Sequence, residues 1–441
     1  MENSRQHKIK KGALLFLMGI MLVPIVQDQI GFARIKPLGG WAPKAPEMYF
    51  SGDGWFSGDY QKGEEAWLNQ QFGLRNVLVR FHNQLDYWLF KHSNAQGFIY
   101  GKNGYLFDKI YTDAFYGINY LGDKKIDSIT DQIKYLQDRL EQDGKTFLMV
   151  FAAGKATYFE EYIPDEYKLP KTNSNYLAYQ KAMEKKGINH IDFNKWFHDN
   201  KTKSPYPLYP QLGIHWSVYG SAVAFDSIQK WIEAKRHIDM PDFRIRDVEL
   251  PDTTRPPDDD VWQTMNLLFH MPFYKMAYPV LEMKNDSSKY KPTVITVGDS
   301  FWWNIYNFGV NDGVFNSGQF FYYNQEFYRG GTMEKRLKEN IDFNREIAGT
   351  EIIIFCYTEG TVHDMGNGFL TQLNDYYKGR STPPVGPHAF TQQDIDNFEK
   401  YIRGDKTWLG NLQKESKEKG IPLDTLIRRD ARWQAENIPR Q

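Results

Sequence analysis

The chain has 441 residues, a formal net charge of −1, one cysteine and an aromatic content of 16%. That length holds one large domain or two ordinary ones with ample core, and the balanced charge gives no bulk attraction to nucleic acid. The lone Cys356, in the apolar run EIIIFCYT, excludes an internal disulfide or a cysteine metal cluster and reads as an inert buried thiol.

In chain order, Arg5, Lys8, Lys10 and Lys11 precede a charge-free run, residues 12–26. Fifteen residues fall short of the roughly 20 of a bilayer span and match a signal-peptide core. Gln27, Asp28 and Gln29 follow in place of a small-x-small cleavage site. Residues 1–30 therefore read as a signal anchor, with a cleaved signal peptide as the alternative. Either puts the body of the chain on the extracytoplasmic or periplasmic side of the inner membrane. Residues 31–64 read as a linker, Gly/Pro-punctuated up to Pro46. From 64 to 90, Leu74, Val77, Val79, Phe81, Leu85 and Trp88 recur at helical spacing. Residues 97–108 form a hairpin about Lys102-Asn103-Gly104. A helix over 126–141, a strand from 145 into a Gly154-containing loop, a helix over 175–186 and a strand over 188–193 alternate as a parallel sheet with helices on both faces requires.

A helix over 217–235 is preceded by His215 and Trp216, where an imidazole can reach out of a sheet edge as a general base. Alone, such a histidine also fits a purely structural role. Residues 236–290 form a proline-rich insertion. Its Asp258-Asp259-Asp260 run lacks the interleaved spacing of a calcium loop and reads as a solvated turn. Then comes KPTVITVGDSFWWN, 291–304: a β-branched strand, a glycine turn, and Ser300 before an aromatic segment. A strand–turn–helix junction exposes a hydroxyl beside unpaired backbone N–H groups, the parts of an acyl-transfer nucleophile; capping of a helix by Asp299-Ser300 is the plainer reading. A charged helix about Met333–Glu339, a strand over 351–360 and a charged helical tail from Thr391 complete the chain.

The hairpin Gly101–Phe107, His215-Trp216 with Gly220, and Gly298-Asp299-Ser300-Phe301, in that order behind a signal anchor, resemble the AlgX/AlgJ-type SGNH-hydrolase-like family over about residues 65–375. The resemblance implies an α/β fold, an SGNH-like three-layer sandwich around a central, mostly parallel sheet. It spans residues 65–380 with the insertion at 236–290, followed by a helical extension at 381–441. It also implies an extracytoplasmic O-acetyltransferase acting on a polysaccharide, as in alginate or other exopolysaccharide modification. Ser300 would be the nucleophile and His215 the base, with a membrane-bound O-acyltransferase partner as acetyl source and neither metal nor cofactor. An acetyl-esterase and a non-catalytic glycan-binding or assembly protein are the alternatives. Asp299, Asn304 and Gly318 are candidates for the oxyanion site or for positioning, and Trp216, Trp302, Trp303 and Tyr323 for stacking on sugars. One departure stands out. The family places an aspartate two residues before the histidine, and here that residue is Gly213. A Ser–His dyad, a remote carboxylate among Asp258–Asp260 or Glu359, or a degenerate site would each account for it.

Overall fold

The computed structural model describes residues 2–40, 45–284, 286–330, 335–337, 341–380, 395–396, 399–400, 402–403, 406–419 and 422–437. The chain forms two units: residues 1–90, 266–269 and 387–441, and residues 91–265 and 270–386.

The first unit begins with α1 (Glu2–Ile30), in which His7–Ile30 is long and apolar enough to cross a membrane. At about 1.5 Å per residue those residues extend further than a hydrocarbon core of about 30 Å. The segment read as a linker holds structure of its own: α2 (Gly52–Ser57), capped by the Ser51 hydroxyl, and the start of α3 (Asp59–Gln71). The helical pattern over 64–90 is broken before α4 (Arg75–Phe90), because Leu74 turns left-handed with φ 65°. Two further helices, Lys406–Lys419 and Leu423–Asn437, bring Leu412, Leu426, Ile427 and Ala431 into a small core. The tail residues 391–394 and the Trp408 side chain lie outside the described residues.

The second unit opens with the hairpin of β1 (Phe98–Tyr100) and β2 (Leu106–Asp108), then α5 (Lys109–Phe115) and α6 (Asp123–Gln142). It continues through β3 (Thr146–Phe151), α7 (Lys155–Tyr158), α8 (Asn175–Lys186), β4 (His190–Asp192), α9 (Phe193–Asn200) and α10 (Val218–Arg236). The insertion is ordered: β5 (Phe243–Glu249) and β6 (Tyr278–Met283) pair as an antiparallel ribbon around α11 (Asp260–Met265). Then come β7 (Val294–Gly298), α12 (Trp302–Tyr306), α13 (Val310–Gly313), β8 (Gln319–Tyr322), β9 (Glu326–Arg329) and β10 (Lys335–Arg336). Last are α14 (Phe343–Ala348), β11 (Ile352–Tyr357) and α15 (Phe369–Tyr377). The helix read about Met333–Glu339 is replaced by β10 at Lys335–Arg336, with 333–334 and 338–339 outside the described residues.

The fold is an SGNH-like α/β sandwich on a mixed seven-stranded sheet, ordered β10-β9-β8-β7-β11-β3-β4. β8, β7, β11, β3 and β4 run parallel, and β9 and β10 add antiparallel at one edge. β11 is buried throughout, as a continuous apolar run in a parallel sheet covered on both faces must be. On one face Ile133, Leu136 and Leu140 of α6 and Tyr179 and Met183 of α8 close over Phe147, Met149, Ile353 and Phe355. From β3 the chain steps outward to β4, whereas from β7 it steps the opposite way to β8. The crevice of such a sheet lies beyond its carboxyl ends at that switch, where Lys155, Ser300 and Glu359 follow β3, β7 and β11.

Candidate active site

The turn after β7 is built to hold one hydroxyl still. A Cβ on Gly298 would overlap the Cys356 carbonyl of β11, so the turn is made where only glycine fits. Asp299 is fully buried, and its carboxylate accepts from four donors. They are the Phe301 N–H (3.0 Å), the Thr358 N–H (2.9 Å), the Thr358 hydroxyl (2.9 Å) and the Thr361 hydroxyl (2.5 Å). Charge-assisted bonds of this kind offset the cost of burying the ion and tie the turn to the end of β11. Asp299 is thus a positioning group: an ionised carboxylate only accepts and cannot donate to an oxyanion.

Ser300 Oγ lies 2.8 Å from His215 Nε2, and His215 Nδ1 lies 2.6 Å from Asp260 Oδ2. Because the carboxylate only accepts, Nδ1 carries the ring proton, and Nε2 keeps a lone pair for the serine hydroxyl. The remote acid is therefore Asp260, 45 residues after the histidine. Glu359 is not that acid; its carboxylate accepts from the Thr157 N–H (3.2 Å) and hydroxyl (2.5 Å). The acidic run is also not a solvated turn, since Asp258 and Asp259 are buried. Each of its members has a separate partner. Asp258 accepts from the Val218 N–H at the start of α10 (3.1 Å), and Asp259 from the Thr254 hydroxyl and the Gln263 amide. Asp260 Oδ1 accepts from the Ile214 N–H (2.9 Å), fixing the acid to the segment it serves. The place of the aspartate expected at position 213 is taken by backbone: a Cβ on Gly213 would stand 2.8 Å from the Pro257 carbonyl oxygen and 2.9 Å from that of Asp258.

Two more bonds lock the histidine segment to the serine turn. The Trp216 indole donates to the Phe301 carbonyl (3.1 Å), and the Asn304 amide donates to the Trp216 carbonyl (3.0 Å). Behind them, the fully buried Lys155 ammonium donates to the carbonyls of Gln211 (2.9 Å) and Gly213 (2.5 Å). Burial pushes its pKa down to about 7, against the pull of Asp260. The hairpin holds the same loop: the Leu106 N–H donates to the Gln211 carbonyl, and the Gln211 amide to the Asn103 carbonyl. The sequence gives no sign of this role of Lys155, because carbonyls 56 and 58 residues away leave no local pattern.

The other candidates divide. Trp216 and Trp302 are wholly enclosed and present no face to a sugar. Asn304 gives one of its two amide N–H groups to the Trp216 carbonyl and so cross-links the two segments. Gly318 lies at the wrong end of the sheet: Gly298 pairs with Tyr322 and Ile295 with Gln319, leaving Gly318 beyond the far end of β8. Trp303 is half-buried and meets Tyr306, Phe320, Tyr322 and Tyr328 edge-on. Tyr323, also half-buried, reaches the Ser300 backbone, and burial followed by the Asp299 charge raises its phenol pKa. The His215 and Asp260 side chains retain 16% and 29% exposure, so the serine–histidine–aspartate edge opens to solvent.

Residues 99–255 match the family model described as the SGNH hydrolase-like domain of acetyltransferase AlgX. This is the family that the sequence resembles. Among solved structures, the O-acetyltransferase domain of Pseudomonas putida AlgJ aligns at 14% identity with a TM-score of 0.43, covering 64% of this chain and 99% of that one. Pseudomonas aeruginosa AlgX aligns at 14% identity and 0.39, covering 62% and 67%. Bacillus cereus PatB1 with a sulfonyl adduct aligns at 10% identity and 0.36, covering 55% and 91%. No protein of curated function matches the chain.

Three outcomes follow from this geometry. Asp260→Asn is expected to lower turnover of an activated acetyl ester by about 10⁴-fold, the effect of losing the orienting acid in a serine protease, whereas Glu359→Gln stays within a few-fold of the parent. Equal losses in the two variants would deny Asp260 its special place. Gly213→Asp is expected to displace the 257–260 segment and cost on the order of 10²-fold in turnover; undiminished turnover would show that the packing there is slack. The third outcome concerns pH. Burial raises Glu359 from 4.5 to about 7 and Asp258 from 3.8 to about 8. An acid raised on folding contributes stability below its unfolded pKa and loses it as pH rises through the folded value. The unfolding free energy, and with it the thermal midpoint, should therefore fall between pH 4 and 8, and Glu359→Gln should reduce the fall in free energy by roughly 1–3 kcal/mol. Lys155, lowered to about 7 from 10.5, acts with the opposite sign above pH 7. A parent midpoint flat over that acid range would refute the buried-carboxyl assignment.

Proposed function

We propose, on the premise that this chain carries an SGNH hydrolase-like domain of the AlgX/AlgJ type, that it is an extracytoplasmic polysaccharide O-acetyltransferase working through an acetyl ester of Ser300. The observation that carries the reading is the unbroken relay from Asp260 through His215 to Ser300, at 2.6 and 2.8 Å. Ser300 Oγ attacks the acetyl carbonyl of the donor as its proton passes to His215 Nε2. Collapse of the tetrahedral intermediate breaks the bond to the leaving oxygen, which takes that proton from Nε2. An acceptor hydroxyl then gives its proton to His215 and attacks the acetyl-serine. Its tetrahedral adduct expels Ser300, which is reprotonated. Asp260 keeps the proton on Nδ1 throughout and stabilises the imidazolium of each half-reaction. The Ser300 N–H is a candidate oxyanion donor, and Trp303 and Tyr323 are the partly open aromatics available to the acceptor.

The acetyl source in this reading is a membrane-bound O-acyltransferase, with α1 holding the protein at the inner membrane. Support for anchoring comes from the apolar length of α1 and from Arg5, Lys8, Lys10 and Lys11 at its start, which favour a cytoplasmic N-terminus. Water admitted in place of the glycan would make the same acyl-enzyme an esterase.

The test uses p-nitrophenyl acetate as donor and neutral oligosaccharides and oligouronates as acceptors, read by mass spectrometry. The expected result is an acetyl group trapped on Ser300 and moved to a sugar hydroxyl. Ser300→Ala should lose both products while keeping its thermal midpoint. Transfer by that variant at the parent's rate would remove Ser300 from the mechanism, and acetate as the sole product with every acceptor would favour the esterase.

A further inference from the structure

Helix α4 is inside out. In a water-soluble unit the apolar stripe of a helix turns inward and its polar residues turn outward. In α4 the buried residues are Asn83 and Gln84. The Gln84 side-chain oxygen accepts from the Phe269 N–H, and the Asn83 amide donates to the Asn266 carbonyl. Val77, Leu78, Phe81, Trp88 and Leu89, which fall within one arc of the helix, are instead 38–67% exposed among the described residues. Leaving such a stripe in water forfeits the gain of burying its large side chains, and a contiguous patch of this kind marks a surface that something apolar covers.

The covering phase is indicated by where α4 begins. A Cβ on Gly73, two residues before it, would overlap the Pro24 carbonyl and crowd the Asp28 N–H of α1. The turn into α4 is therefore pressed against the last turns of α1, and the same contact buries Gln27. Residues 24–28 are where the charge-free run ends, at the end of α1 opposite its basic cluster. For a spanning α1 this is the extracytoplasmic boundary of the hydrocarbon. The stripe has the composition of that boundary: Phe81 and Trp88 among aliphatics, with Trp88 stacked on Phe269 at 5.6 Å. His82 is the polar residue on it, and Lys91 and His92 follow its end.

We propose that the outward face of α4 lies in the outer-leaflet interface of the phospholipid bilayer that α1 spans, so that this unit is moored to the membrane at two adjoining places. The inference rests on the reading of α1 as an anchor. An interfacial helix sinks its apolar side about 5–10 Å below the headgroups. For a chain that receives acyl groups from a membrane-bound donor, such a mooring limits how freely the first unit tilts and swings about α1.

The test uses the full chain in nanodiscs of phosphatidylethanolamine and phosphatidylglycerol, with no other protein present. Phe81→Cys and Leu89→Cys are labelled singly with a bimane fluorophore, and Leu15→Cys reports on α1. The native Cys356 is buried and its thiol pKa is raised, so it stays unlabelled. Discs with doxyl-bearing acyl chains are compared with identical discs lacking them. The expected result is loss of fluorescence at both α4 positions, at least half as large as the loss at position 15. Quenching at 15 without quenching at 81 and 89 would overturn the proposal while leaving the anchor intact. Absence of quenching at 15 would remove the anchor reading, and the proposal with it.

Discussion

A carboxylate can only accept hydrogen bonds, and the site depends on where that one-way group is put. With Asp260 at Nδ1, the imidazole of His215 has a single useful tautomer, with its lone pair directed at Ser300. Most of the surrounding polar structure keeps those three groups in register. Ile214 donates to the acid, Trp216 and Asn304 fasten the histidine segment to the serine turn, and Asp258 ties the acid's own loop to the start of α10. Four hydrogen bonds between elements far apart in sequence thus leave the serine–histidine distance little freedom.

Holding a site this way requires ionisable groups to be taken out of water at the carboxyl edge of the sheet. Asp299 is offset by four donors, Lys155 by two carbonyls and the nearby charge of Asp260, and Glu359 by Thr157. None of these touches the reacting atoms. Their use is rigidity: Asp299 binds the turn after β7 to the segment after β11, Glu359 binds that segment to α7, and Lys155 binds α7 to residues 211–213, so the crevice is braced by polar contacts where no further strand can brace it. Both Lys155 and Glu359 have pKa values moved by burial towards neutrality. The bracing therefore answers to pH.

How much of this was legible in the sequence depended on how local the cause was. The strands at 294–297 and 352–357 and the helix at 175–186 follow from runs and periodicities within a few residues, and they stand where the pattern put them. Ser300 and His215 were legible as types in their turns. The acid was legible only as one of four carboxylates, Asp258–Asp260 and Glu359, because nothing local distinguishes Asp260 from its two neighbours, and the loop that carries it packs against Gly213 from far away in sequence. Gly318 had the right residue type but not the right end of β8, which only the register with β7 decides. Trp216 and Trp302 illustrate the same limit, since an aromatic side chain does not announce whether it faces a sugar or a core. Periodicity likewise found the apolar stripe of α4 without its direction, because a stripe at helical spacing is as compatible with lipid as with a protein interior.

The central claim is that Ser300, His215 and Asp260 act as one chemical unit, and non-additivity tests that most directly. Groups that cooperate in one step cannot each be lost at full cost. The measurement is the rate of acetyl-ester turnover by the single, double and triple alanine variants at these three positions, all checked for an unchanged thermal midpoint. The expected result is that the triple variant is no slower than Ser300→Ala alone. Losses that multiply from one variant to the next would mean that the three residues contribute independently, and would contradict the account.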